Sequence, residues 1–171
     1  MAYANKYAGA AWGAGNNGRY NAKYRDYTYQ GGDCTNFTSQ ALGDREEGGG
    51  LLMTGGWRYV KKFRRQCCLG ANRRVKIFLL YSGYGRLIKS GTFTEVVQPS
   101  KKHPRGAAAE LKPGDVIAYV MNNDVDHFSI VVGHDDNGYP LVNSHTADRY
   151  RMPFDLGWDK STSYMLIHIN D

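Results

Sequence analysis

Three consecutive stretches decide the fold class: Asp126-His127-Phe128-Ser129-Ile130-Val131-Val132-Gly133, then Asp135-Asp136-Asn137-Gly138, then Tyr139-Pro140-Leu141-Val142-Asn143-Ser144-His145-Thr146. The first is rich in β-branched and aromatic residues and predicts a strand over 127–133. The second carries an Asn-Gly pair, a strong hairpin signal. The third predicts the returning strand over 139–146. A turn centred near Asp136 and Asn137 sets residue 127 opposite a partner near 146. The hairpin does not stand alone. Leu111-Lys112-Pro113-Gly114-Asp115 reads as a turn, Val116 to Val120 as a strand and Tyr164 to Ile169 as a final strand. The C-terminal third is therefore an antiparallel meander.

Upstream the periodicity changes. Ala2 to Trp12 is alanine-rich with aromatics at helical spacing, and the glycines of 13–18 end it. Phe37, Ala41 and Leu42 recur at three- and four-residue spacing, so a helix starts near Cys34 with Asp33 as its N-cap. Gly48-Gly49-Gly50 breaks the chain. Trp57 to Cys68 reads as a basic amphipathic helix with Trp57, Val60, Phe63 and Cys67 on one stripe. Residues 75–89 read as helical or mixed. Helices first and strands afterwards give an α+β architecture in a single domain over 1–171, with one core and no internal repeat.

Composition fits that picture. The chain has 171 residues, 42% hydrophobic and 22% charged, which suits a folded domain with a core of its own. It has no run of 18 apolar residues, so no membrane span is expected. Its first residues lack the pattern of a secretory signal. Three cysteines, two of them the adjacent Cys67 and Cys68, cannot build a disulfide framework. The net charge of +6 is uneven. Residues 1–57 balance five basic against five acidic side chains, residues 58–112 hold fourteen against two, and residues 113–171 hold three against nine. The basic middle segment, 58–112, points to an anionic partner.

Cys34 is the candidate nucleophile. A helix N-terminus presents free N–H groups and partial positive charge, which favour a thiolate and can hold an oxyanion. His127 at a strand start is the candidate base. His127, Asn143 and His145 share odd parity, which places them on one sheet face, so His145 or Asn143 would orient the imidazole. Metal ligands at usable spacing around Cys67 and Cys68 are missing from the sequence, and no Gly-rich phosphate loop followed by Lys-Ser or Lys-Thr is found. No cofactor or metal is expected. His103, His134 and His168 receive no role. Asp148-Arg149 reads as a salt bridge at a strand exit.

These residues also carry a resemblance. Tyr29-Gln30-Gly31-Gly32-Asp33-Cys34-Thr35-Asn36-Phe37-Thr38-Ser39-Gln40 resembles the Cys motif of the putative amidase domain family. Leu111 to Ile117, Asp126 to Val131 and Leu141 to Tyr150 resemble its later blocks, in the family's order and over nearly the whole chain. That family is similar to the NlpC-like and CHAP-type cysteine peptidases of papain-like fold. The resemblance implies Cys34 as nucleophile and His127 as base. The third member would be His145 in an NlpC-like pattern and Asn143 in a papain-like one. Tyr27-Thr28-Tyr29-Gln30-Gly31-Gly32 resembles the tyrosine context that precedes the NlpC-like Cys. It implies an oxyanion-side or substrate contact for Tyr27, with Tyr29 second. At the start of the chain the resemblance departs, since the family's first helix would begin upstream of Met1.

The expected function is a cysteine-dependent amide hydrolase that cleaves an amide of peptidoglycan or a related peptide. It would work at the cell wall or outside the producing cell, with segment 58–112 docking an anionic wall polymer. Two alternatives use the same residues differently: a thiol-based effector or transferase acting on a protein, and a non-enzymatic binder of an anionic polymer. Nucleic acid is not the expected partner, because no base-reading motif is visible.

Overall fold

Residues 1–8, 19–30, 32–52 and 71–170 are described in the computed structural model. Four short helices, α1 (Ala2–Tyr7), α2 (Cys34–Gly43), α3 (Ala71–Tyr81) and α4 (Phe93–Val97), accompany six strands. The strands are β1 (Gly85–Thr92), β2 (Val116–Met121), β3 (Asp124–His134), β4 (Pro140–Ser144), β5 (Arg149–Pro153) and β6 (Ser163–Ile169). They form one sheet in the order β1-β6-β2-β3-β4-β5, and every neighbouring pair is antiparallel. The expected meander is present as β2 to β5, and the C-terminal strand inserts between β1 and β2. The class is α+β, as the sequence indicates.

The central strands β2 and β3 are buried on both faces, and this explains their near-continuous apolar sequence. One face packs Val116, Ala118, Phe128, Ile130 and Ile167 under Tyr3 of α1, Phe37 and Leu42 of α2, and Phe78 and Leu79 of α3. The other face packs Ile117, Tyr119, Val131, Val142, Tyr164 and Leu166 against Val96, Leu111 and Phe154. The sheet thus carries a core on each side where one was expected. The second core needs a cover. That cover comes from α4, a 3-10 turn at Ala108–Glu110 and the segment around Phe154, none of which has long enough apolar periodicity to be read from sequence. Tyr119, Phe154 and Tyr164 meet edge to face there, with centroids 5.4 to 5.5 Å apart for the two pairs that include Tyr164.

The hairpin forms where expected. Asp135 Oδ1 accepts from the N–H groups of Asn137 and Tyr139, and Gly138 takes a positive φ of 80°. Ile130 pairs with Asn143 and Val131 with Val142, a register that extrapolates 127 onto 146. The ambiguous stretch 75–89 resolves as the end of α3 followed by β1. α4 and β5 were not anticipated. α4 opens with a reciprocal cap between Thr92 and Glu95. α1 covers the first part of the expected helix over 2–12 and ends at Tyr7, with Ala8 extended; residues 9–12, Gly31 and the basic helix over 57–68 with Cys67 and Cys68 lie outside the described residues. No helix among the described residues is long and apolar enough to cross a membrane.

Candidate active site

α2 begins at Cys34 with Asp33 at the N-cap position, where the sequence puts them. The capping chemistry differs from expectation, because the Asp33 side chain makes no cap hydrogen bond. It accepts instead from the Tyr27 N–H at 3.0 Å and from Asn36 Nδ2 at 2.8 Å, and faces His145 Nδ1 at 2.7 Å. Its own N–H donates to Thr146 Oγ1. Asp33 is fully buried and joins the loop before α2 to the exit of β4.

Cys34 is buried and sits against β3. Its Sγ lies 3.7 Å from Thr35 Oγ1 and 4.0 Å from the Asp126 carbonyl, and the Phe128 N–H also faces it. Burial pushes the thiol above its ordinary range. The Thr35 hydroxyl and the N–H groups of Phe128 and Thr35 pull the other way, and the Asp33 carboxylate adds to the rise. The expectation that a helix N-terminus would favour the thiolate is corrected: desolvation outweighs the N–H donors here.

Asn72, on α3, holds this junction together. Its Nδ2 donates to the carbonyls of Val125 and Asp126 at 3.0 Å each, and its Oδ1 accepts from the Thr35 hydroxyl. Asn72 was missed because nothing in a basic helix marks one polar residue as a strut.

Cys34 thus touches the β3 backbone on both sides of His127, yet the His127 ring points the other way. Val120 pairs with Val125 while Tyr119 pairs with His127, so Asp126 is an extra residue, a β-bulge. Val125 belongs to the core under the helices, whereas His127 packs on Tyr119 and Trp158 at centroid distances of 5.3 and 5.2 Å, on the opposite face. Burial there holds its pKa down at about 3, the nearby Arg149 charge lowers it further, and the Thr146 backbone works against both. The ring is therefore neutral, and its Nε2 is buried without a partner among the described residues.

The third member is placed differently too. Ile130 pairs with Asn143, so even-numbered β3 residues share a face with odd-numbered β4 residues. Odd parity therefore separates His127 from Asn143 and does not unite them. Asn143 donates to the Ala4 carbonyl and to Asn5 Oδ1, and accepts from the Arg151 N–H. His145 lies just past β4, with Nδ1 on Asp33 and Nε2 on the Tyr7 carbonyl. Phe37 stacks on its ring at 4.1 Å and Tyr20 meets it edge-on at 4.8 Å. Neither residue touches His127.

Tyr27 is buried beneath the Arg25 guanidinium, and its carbonyl accepts from the N–H groups of Gln30 and Gly32, so it shapes the loop. Tyr29 is 95% exposed. Asp148 accepts from the Thr146 N–H, while Arg149 donates to the Leu156 carbonyl and covers Trp158; the expected Asp148–Arg149 bridge is replaced by these two contacts. Among the described residues, no three His, Cys, Asp or Glu side chains cluster as a metal site would require.

The model of the putative amidase domain family matches residues 1–168. Over 152 residues the chain is 32% identical to YhbB, an uncharacterized protein of Bacillus subtilis (strain 168); the match covers 84% of this chain. The chain spans 41% of that relative's length. No solved structure matches it. The family match over nearly the whole length assigns the chain: it belongs to the putative amidase domain family.

Proposed function

We propose that the domain is a cysteine-dependent amide hydrolase of papain-like, NlpC-like type, with Cys34 as nucleophile and His127 as base. The observation that carries this reading is the seating of Cys34. It opens a helix, and its sulfur rests against the backbone of Asp126 and Phe128, the two neighbours of His127. The family name is consistent with amide hydrolysis.

His127 must reach the Cys34 face to act. A one-residue migration of the bulge does this. If Tyr119 pairs with Asp126 and His127 becomes the extra residue, the pairs Ala118 with Phe128, Ile117 with Ser129 and Val116 with Ile130 stay as they are. The two residues of such a bulge project toward the same side, so His127 would join Phe128 under α2. The Asp126 carboxylate would take the vacated place near Arg149, which suits a negative charge better than an imidazole.

With His127 beside Cys34, the imidazole takes the thiol proton as sulfur bonds to the amide carbonyl carbon. The carbonyl electron pair moves to oxygen, where the Cys34 N–H at the start of α2 stabilises it. On collapse the C–N bond breaks and the imidazolium protonates the departing amine. Water, deprotonated by His127, then releases the acid and restores the thiol. The proposed substrate is an amide of peptidoglycan or a related peptide. Exposed Arg73, Arg74, Arg86, Lys101, Lys102, Arg105 and Lys112, in the described part of the basic segment, would hold an anionic wall polymer.

Digestion of purified peptidoglycan with wild type and Cys34→Ala, followed by mass analysis of the fragments, tests the reading. Newly freed amine and carboxyl ends with wild type alone support it. Equal cleavage by Cys34→Ala, or none by either protein on peptidoglycan and its stem peptides, overturns it.

A further inference from the structure

We infer that His145 is held as an imidazolium between Asp33 and the Tyr7 carbonyl, and that this buried ion pair positions Cys34 without taking part in proton transfer. The argument starts from acceptors. His145 Nδ1 lies 2.7 Å from Asp33 Oδ2, and Nε2 faces the Tyr7 carbonyl oxygen. A carbonyl can only accept. Asp33 Oδ1 already accepts from the Tyr27 N–H and from Asn36 Nδ2, as an ionised carboxylate does. A neutral ring has one N–H, so one nitrogen lone pair would face an oxygen lone pair in a space where His145 is 1% exposed and Asp33 not at all. With Asp33 ionised, only the doubly protonated ring satisfies both oxygens; the one other arrangement, a neutral ring accepting from a protonated Asp33, would leave a single ring N–H.

The surroundings agree. The titratable groups facing His145 among the described residues are Asp33, Asp148 and Tyr20. Burial raises the Asp148 carboxyl, and the Thr146 N–H first and His145 second pull the other way. Phe37 offers its ring face at 4.1 Å, a favourable contact for a cationic ring.

The pair also explains how Cys34 is aimed. Asp33 is its chain neighbour, and through this carboxylate and N–H it is fastened to the loop at Tyr27, to α2 at Asn36 and to the β4 exit at His145 and Thr146. His145 carries the connection on to α1 at Tyr7. Four segments converge on the residue before the sulfur. With both nitrogens engaged, His145 has no lone pair with which to accept a proton, so its role is positional. The functional half of the inference rests on the proposed nucleophilic role of Cys34.

The test uses the whole chain labelled with 15N at histidine. At neutral pH the His145 ring, identified by its loss in His145→Gln, should show both nitrogens protonated. A singly protonated ring in the wild type overturns the inference, and this reading needs no variant to be active. Asp33→Asn should lower kcat for amide hydrolysis by roughly tenfold or more with little change in KM, as expected when a nucleophile is misaimed. Asp33→Glu should recover part of it. An unchanged kcat in Asp33→Asn overturns the positioning role. If the wild type hydrolyses no amide, the proposed function fails. The positioning role is then read from the rate of Cys34 alkylation, which Asp33→Asn should change and which, if unchanged, overturns it.

Discussion

Val125 and His127 stand two places apart on β3 yet face opposite sides of the sheet. In an unbroken strand they would share a face; the bulge at Asp126 separates them. The helix-side core receives Val125, and the Tyr119–Trp158 pocket receives His127.

The buried neutral state of His127 has a consequence for stability. Its pKa is about 3 in the folded protein against an ordinary 6.5. Between these values the unfolded chain binds a proton that the folded chain does not. The stabilisation is complete above pH 6.5 and is lost as pH falls from 6.5 toward 3, with a limiting slope of about 1.4 kcal/mol per pH unit. Urea titrations from pH 7 to pH 4 should show this slope in excess of His127→Gln. Parallel curves for the two proteins would place the imidazole outside the pocket.

Cys34 should react slowly. Burial raises its thiol, so alkylation by iodoacetamide, mapped by peptide mass to residue 34, should stay slow at pH 7 and accelerate toward and beyond pH 9.

Phe37 is fully buried between the helix-side core and the His145 ring. Phe37→Ala should cost about 3–5 kcal/mol in chemical denaturation, in line with truncation of a packed aromatic. It should also loosen His145, visible as a shift of its ring resonances.

Asn72→Ala removes the strut from α3 to the Val125 and Asp126 carbonyls and to Thr35. A cost of about 1–3 kcal/mol is expected from the lost bonds. Because the same bonds pin the bulge, amide exchange at residues 125–127 should quicken by more than the global stability loss explains. Exchange that tracks global stability alone would show that the bulge is pinned elsewhere.

The sequence made some of this legible. Phe37, Ala41 and Leu42 announced α2, and the Asp135–Gly138 turn announced the hairpin, whose expected register holds at Ile130 and Val131 and is one residue off beside the turn, at Gly133 and His134. What escaped were single-residue events. The Asp126 bulge shows only as a change of parity, with apolar Val125 at an odd position and Phe128 and Ile130 at even ones, and one apolar residue before the break is too short a run to define a phase. The parity argument failed at Asn143 for a related reason: parity orders side chains within a strand, while the facing strand depends on the pairing sum. Asp33 has the composition of a cap, and only its distant partner, 112 residues along the chain, turns it to another use.

The order of the sheet has one more effect, on self-association. β1 and β5 are its edges, where unpaired backbone groups invite another chain to add on. β1 carries Arg86 and Lys89, and β5 carries exposed Arg151 and ends on Pro153, which has no N–H to offer. Among the described residues, both rims thus put like charge where a second copy would dock, an arrangement that disfavours edge-to-edge stacking of two copies.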